Sequence, residues 1–473
     1  CNAVSISGTE RVLVENCHAS RMSGECFVSG GPSRGSAKPG RSYSQWITYQ
    51  RCAVTDSARN AFNDVMCGTE NTSVLQCRIV DVGGCAWEGA SRFVKFVGNY
   101  VRNSGTVAMG NLGPSNRDQT YPDLGAGQHI IADNVFEQNT PYGGCAIRSA
   151  SGATQVIIRN NLFINFGSSA VEASGATDPR HYPSGNTTIA GNIFDMTCVG
   201  RKSAARTAIN ASANDTLVSD NQVYVRGPAD PAVTGIRLRE PARNVNVHDN
   251  LIHNCGLGLT TARGESRVAE VVDERTFLRS ASPSGLPLEW IQPQTCRGWR
   301  LAWLDAGGRP SGAPSVVESF DPETLRFRLT GPRPMKPGDR FEVIAPSVNW
   351  TVHDNIITGC RRPLVLDSYG SETTLVKNNI VARGEAVEAK VAVELRGRFD
   401  LVGNQISGFD EQDAAALALW PDRFGKPCGN LYRANVFQRC FQAVAENAPG
   451  LWAASTAENN EFIECGGVPA AGP

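Results

Sequence analysis

One phrase constrains this chain more than any other: V-N-V-H-D-N at Val245–Asn250. It recurs as I-I-A-D-N at Ile130–Asn134, V-I-I-R-N-N at Val156–Asn161, T-I-A-G-N at Thr188–Asn192 and L-V-S-D-N at Leu217–Asn221. It returns as T-V-H-D-N at Thr351–Asn355, L-V-K-N-N at Leu375–Asn379 and L-V-G-N at Leu401–Asn404. Each copy is a short β-branched run, an Asn, and a second apolar pair. Such a unit cannot bury its apolar face alone and must stack on its neighbours. The Asn residues recur every 24 to 35 positions, with one large gap. That spacing predicts one turn of a right-handed parallel β-helix per copy, roughly twelve in all. Each Asn would sit at a bend and stack about 4.8 Å from the next, forming a hydrogen-bonded ladder.

Cysteine extends the ladder. Cys17, Cys52 and Cys77 take the Asn position in the first three coils, and Cys255, Cys360, Cys440 and Cys465 each stand five residues after a ladder Asn. The count of 15 is odd and no C-x-x-C pair occurs, which argues against a structural zinc site. Stacks of small buried thiols are the expectation, with disulfides of a secreted protein as the alternative. Cys255 and Cys360 should lie in adjacent coils, within reach of a disulfide. The open end of a β-helix exposes unpaired strand edges. A cap, with any signal segment, is therefore expected upstream of Cys1, and the location is read as secreted, periplasmic or cell-surface.

Charge is balanced, with 45 basic and 46 acidic residues, so nothing points to nucleic acid or an anionic membrane. No apolar run reaches the ~18–20 residues needed to span a bilayer. The long gap in the ladder has its own pattern of hairpin-like strands and tight turns. The chain therefore reads as β-helix over 1–263, a small antiparallel β-barrel or sandwich over 264–347, and β-helix over 348–473. Trp290, Trp299 and Trp303 should form the core of the insert. His248 and His353, both in V-H-D-N, should stack across its base.

After each Asn phrase comes a turn and a short strand whose outward residues form a column. Read down the chain, this column holds Asn63 or Asp64, Glu88, Met109, Arg148, Glu172, Asn210, Arg237, Thr260, Leu366 or Asp367, and Glu394. Glycoside hydrolysis needs two carboxyl groups, ~5–5.5 Å apart for retention and ~6.5–9.5 Å for inversion. Asp64 with Glu88, and Asp367 with Glu394, are the neighbouring acidic pairs. Glu172 has Arg148 beside it, which suits a base or nucleophile rather than an acid. Three long loops, at 30–44, 111–128 and 174–185, should wall this column. They bring Asp118, Tyr121, Arg180, His181 and Tyr182 toward it, rings for apolar sugar faces and charges for hydroxyls. With Arg148 and Arg237 these are the candidate substrate-binding residues.

The Asn-ladder coils resemble the right-handed parallel β-helix superfamily of pectate lyases, polygalacturonases and related polysaccharide enzymes. The insert, with P-G-D-R-F-E-V-I-A-P before the ladder resumes, is similar to that of bacterial β-helix α-1,3-galactosidases. That family implies acidic residues in the coil entering the barrel, whereas this coil reads N-C-G-L-G-L-T-T-A-R-G. No clustered Asp set suits Ca²⁺, which wants six to eight oxygens, and no cofactor is expected. The expected function is a glycoside hydrolase acting on a poly- or oligosaccharide by paired carboxylates. The alternatives are a polysaccharide lyase or uronate epimerase, and a non-catalytic glycan-binding or adhesin β-helix.

Overall fold

A computed structural model describes residues 2–30, 44–65, 69–89, 91–110, 127–139, 144–150, 153–173, 185–198, 205–239, 242–262, 265–280, 296–308, 310–321, 324–344, 349–368, 374–384, 388–422 and 424–468. The described residues contain no α-helix. The chain forms two compact units, Cys1–Arg226 and Gly227–Pro473. Both are parallel β-solenoids whose turns carry three short strands each. The first unit has eight turns and the second six. That exceeds the expected twelve; the last two turns carry Asn435 and Asn460 in the ladder.

The bend before each ladder Asn explains why the phrase looks as it does. The residue preceding the Asn is left-handed in every coil: Asp133 (φ 58°), Asn160 (φ 54°), Gly191 (φ 66°), Asp220 (φ 56°), Asp249 (φ 54°), Asp354 (φ 55°), Asn378 (φ 53°) and Gly403 (φ 67°). Asn, Asp and Gly tolerate that region best. The D-N, N-N and G-N pairs are thus a backbone requirement followed by a side-chain ladder.

In the first unit the Asn134 amide Nδ2 donates to Asn161 Oδ1 at 2.9 Å, Asn161 to Asn192 at 3.0 Å, and Asn192 to Asn221 at 2.9 Å. Each Nδ2 also donates to a strand carbonyl, as Asn161 does to Ile131 at 3.0 Å. Each Asn backbone N–H donates to the next Oδ1 at 3.0 to 3.1 Å. The bend groups that would otherwise be buried without partners are all satisfied. Earlier in the unit Cys17, Cys52 and Cys77 hold the same position. Their thiols donate to strand carbonyls, Cys52 to Val14 at 3.4 Å and Cys77 to Tyr49 at 3.7 Å. The Cys77 N–H donates to Asn99 Oδ1 at 2.8 Å, joining the thiol stack to the amide ladder. Inside the coils Phe136, Phe163 and Phe194 stack with ring centres 5.2 and 4.6 Å apart.

The second unit repeats this with an interruption. Asn250 donates to Asn355 at 2.9 Å across 105 residues, and the ladder continues through Asn379, Asn404, Asn435 and Asn460. Between the two coils lies a closed antiparallel barrel of six strands: Glu265–Val271, Thr276–Arg279, Arg300–Leu304, Ser315–Asp321, Arg326–Leu329 and Arg340–Ile344. Its core holds Phe277, Trp299, Trp303, Phe320, Phe327 and Phe341; Trp290 lies outside the described residues. His248 and His353 stack at 4.8 Å with rings 11° from parallel, each bonded through Nδ1 to the next Asp in sequence. The Arg361 N–H donates to the Cys255 carbonyl at 3.1 Å, so Cys255 and Cys360 occupy the same position in adjacent coils. Both are free thiols, as are all the described cysteines.

Candidate functional site

The second strand after each ladder bend alternates inward and outward residues, and its pairing fixes the outer column. In the first unit Val28, Asn63, Glu88, Ala108, Arg148, Glu172 and Asn210 are in register. In the second the column is Arg237, Thr260, Val365, Glu394, Ala418 and Ala445. Glu88, Arg148, Glu172, Arg237 and Glu394 stand where the sequence put them. Met109 does not: the register places Ala108 opposite Glu88 and Arg148, one residue earlier.

Asp64 is a second correction. It shares the inward face with Phe62 and is 1% exposed, so it cannot pair with Glu88 on the outside. Ser29 donates to it, as do Ser91 Oγ at 3.1 Å and Trp87 Nε1 at 3.2 Å. Burial pushes its pKa up, and the hydrogen bonds oppose that only in part. His129 lies in the same interior, its ring 5.9 Å from Trp87 and its Nε2 bonded to the Ser91 carbonyl at 2.7 Å. Burial holds its pKa down at about 4. Asp64 and His129 are interior structure, closed to substrate.

Glu88 has a partner that the sequence reading missed. Glu25 precedes the strand of the second coil, and the Cys26 N–H donates to the Asn60 carbonyl at 3.0 Å, which aligns this bend with the next. Asn60 is 8% exposed, and its Oδ1 accepts the Cys85 N–H at 2.7 Å. This fixes the amide with Nδ2 facing outward. Nδ2 then donates to Glu88 Oε2 at 2.5 Å and to Glu25 Oε1 at 3.4 Å. The neighbouring Asn63 donates to the same Glu25 oxygen at 2.5 Å. The two carboxylate oxygens therefore lie no farther apart than 2.5 Å plus 3.4 Å. Both side chains are partly exposed.

Two aromatic rings lie around the next bend of these coils. Trp46 (φ 57°) and Phe93 (φ 56°) hold the left-handed position that Asn71, Gln128 and Asn186 hold elsewhere. A bulky side chain is disfavoured there, yet Trp46 is 55% and Phe93 38% exposed. Neither ring gains burial in return for the strain. Farther along the column Arg148 Nε meets Glu172 Oε2 at 3.3 Å. Asp118, Tyr121, Arg180, His181 and Tyr182 lie outside the described residues.

The second unit has a different acidic pair. A depression of about 300 Å³ is lined by Thr260, Thr261, Arg362, Asp367, Glu394, Arg396 and Trp420, among others. Arg362 grips Glu394 with two parallel bonds of 2.8 Å. Arg396 Nε lies 4.0 Å from Asp367 Oδ2, and its guanidinium stands 5.0 Å over the Trp420 ring. The Asp367 N–H donates to Thr261 Oγ1 at 3.0 Å. The column position expected at Leu366 or Asp367 falls on Val365; Asp367 lies two residues farther along its strand, opposite Arg396. Arg237 sits one coil away and donates to Thr234 at 3.3 Å; burial pushes its pKa down. Among the described residues no group of three or more His, Cys, Asp or Glu could hold a metal ion.

No protein-family model matches the chain, and no curated protein is similar to it. Several solved structures are similar. One is the A-module of the Azotobacter vinelandii mannuronan C-5 epimerase AlgE4, 10% identical over 91% of each chain, with a TM-score of 0.45. Another is a mannuronic acid specific polysaccharide family 6 lyase from human gut microbiota, 12% identical over 84% of this chain and 80% of the lyase, with a TM-score of 0.39. A third is the tailspike of E. coli bacteriophage HK620 in complex with a pentasaccharide, 13% identical over 94% of this chain and 60% of the tailspike, with a TM-score of 0.28. The first of these is an epimerase of mannuronan, the second a polysaccharide lyase specific for mannuronic acid, and the third holds a pentasaccharide.

Proposed function

We propose that this chain is a glycoside hydrolase that cleaves a poly- or oligosaccharide on the outer face of its first unit. The observation that carries the reading is the amide bridge from Asn60 to both Glu25 and Glu88. Two carboxylates held by neutral donors, with no arginine on either among the described residues, can divide acid and nucleophile roles between them. Their bridged oxygens lie within roughly 6 Å of each other, short of the ~6.5–9.5 Å of inverting enzymes and compatible with the ~5–5.5 Å of retaining ones. Glu25 accepts two amide N–H groups, which hold its carboxylate in one orientation. It is assigned as nucleophile. Glu88 accepts one and keeps an oxygen free for the proton given to the leaving group. Trp46 and Phe93 supply rings for sugar faces.

The pair in the second unit is less suited to this chemistry. Glu394 accepts from a guanidinium on both oxygens, which leaves neither turned toward a leaving group. A general acid needs a proton to give.

The test is hydrolysis across a polysaccharide panel with Glu25→Gln and Glu88→Gln variants, and proton NMR of the first-formed anomer. Both variants should lose about a thousandfold in kcat, and the product should retain its configuration. An unsaturated product absorbing in the ultraviolet would replace this reading with a lyase. Wild-type rates in both variants would end it.

A further inference from the structure

The depression in the second unit is not needed for the reaction above, yet it is furnished as a ligand site. Its volume, about 300 Å³, lies at the lower end of the roughly 300–1,000 Å³ of ligand pockets. That admits one or two sugar rings and excludes a long chain. Its chemistry is narrow. Trp420 carries the Arg396 guanidinium 5.0 Å over its ring and is still 37% exposed, which leaves ring surface for a flat apolar face. Two carboxylates and two guanidiniums stand around it, Glu394 with Arg362 and Asp367 with Arg396. An ion pair of this kind presents acceptor and donor side by side. Adjacent hydroxyls on a pyranose ring can donate to the carboxylate and accept from the guanidinium together.

Charge decides which sugar. Each arginine lining the depression already faces a carboxylate, so the lining has no net charge to offer an anion. A uronate would need to displace Glu394 from a two-bond grip. A neutral hydroxyl adds to that grip without breaking it. Asp367 is 5% exposed and anchored through its own N–H by Thr261, so it is held in place before any ligand arrives.

We propose that this depression is a second saccharide-binding site, separate from Glu25 and Glu88, which takes one or two neutral hexose units by stacking on Trp420 and bonding to Glu394, Arg362 and Asp367. The proposal rests on these side chains and does not depend on the hydrolase reading.

Isothermal titration of the full chain with methyl glycosides of glucose, galactose, mannose and N-acetylglucosamine tests it, with glucuronate and galacturonate as charged controls. At least one neutral glycoside should bind saturably. Trp420→Ala and Glu394→Gln should each weaken that binding at least tenfold. Trp420→Phe should keep most of it, which guards against an unfolded alanine variant. The chain carrying Glu25→Gln and Glu88→Gln together should bind as the wild type does, so failure of the hydrolase and failure of this site are told apart. The proposal is overturned by any of three results: no saturable binding of a neutral glycoside, wild-type affinity in both Trp420→Ala and Glu394→Gln, or preference for the uronates.

Discussion

The two units solve the same coil differently, and the difference lies in what surrounds their acids. The first unit buries one carboxylate, Asp64, among hydroxyls and an indole, and holds two others outside with amides. The second keeps Asp367 and Glu394 on its outer face and gives each an arginine. Its ladder is all Asn, whereas the first unit begins its ladder in Cys. An amide satisfies a carboxylate without a countercharge, while a guanidinium brings one. On the two proposals above, the same strand face would serve acid–base chemistry in one unit and binding in the other.

The largest expected contrast is catalytic. Glu88→Gln should cost about a thousandfold in kcat while leaving the melting temperature within a few degrees, since an exposed substitution rarely costs much stability. Glu394→Gln breaks a half-exposed ion pair and should cost about 1 kcal/mol or less in stability. Denaturant melts beside initial rates would read both. If Glu88→Gln lowers stability more than rate, the amide bridge is architecture and the contrast collapses.

Most of the fold was legible because each coil repeats a backbone need beside a side-chain need. D-N and G-N mark a left-handed bend and a ladder amide together, and Cys17, Cys52 and Cys77 kept that phase. The site was legible only in part. Asp64 and Met109 were misplaced by one residue; strict alternation from Phe62 would have turned Asp64 inward, and the strand register opposite Glu88 falls on Ala108. Glu25 was missed because it precedes its strand. Aligning E-C-F at Glu25–Phe27 with N-A-F at Asn60–Phe62, through the residues before Phe62, would have set Glu25 beside Asn60 two residues apart from each aromatic. That leaves the missing part as a matter of how far side chains reach, which no repeat encodes.

The next contrast is in pH. His129 is fully buried and held at about 4, below the ~6.5 of a free imidazole. The fold prefers its neutral form. Its contribution to stability is complete above pH ~6.5 and is lost as pH falls from there toward 4, a change on the order of 3 kcal/mol. Asp64 acts with the opposite sign: its raised pKa means that the fold gains as the carboxyl takes a proton. Urea melts from pH 7 to 4.5 should show His129→Gln losing less stability with acid than the wild type. Equal slopes would mean that the interior around Trp87 admits charge.

A smaller contrast concerns the ladders. Asn379→Ala removes an amide that donates to Asn404 at 2.9 Å and to the Val352 carbonyl at 3.0 Å. It also strips the Asn355 amide of its acceptor. Leaving such groups buried and unpaired costs roughly 1–3 kcal/mol. Cys52→Ala removes a weak thiol donor and little volume, and should cost about 1 kcal/mol. If thermal melts rank the two the other way, the thiol stack contributes more than its chemistry suggests.

The smallest effect should come from the largest deletion. The barrel interrupts the second unit in sequence, yet the coils on either side of it are already paired. Asn246–His248 pairs with Thr351–His353, Leu251–His253 with Ile356–Thr358, and Thr260 with Val365. The ladder crosses the gap through Asn250 and Asn355 without a break. The barrel has its own aromatic core, so few apolar groups of the coils should depend on it. We therefore expect that residues 264–347 can be replaced by a short Gly/Ser linker. Closing a shorter loop costs less entropy, by about 0.6 kcal/mol for each halving of length. This gain offsets part of whatever contact the barrel makes. Circular dichroism should retain the β signal, and the melting temperature should move by only a few degrees. Loss of the cooperative transition would show that the barrel holds the second unit together, and that its coils, unlike those of the first, do not stack on their own.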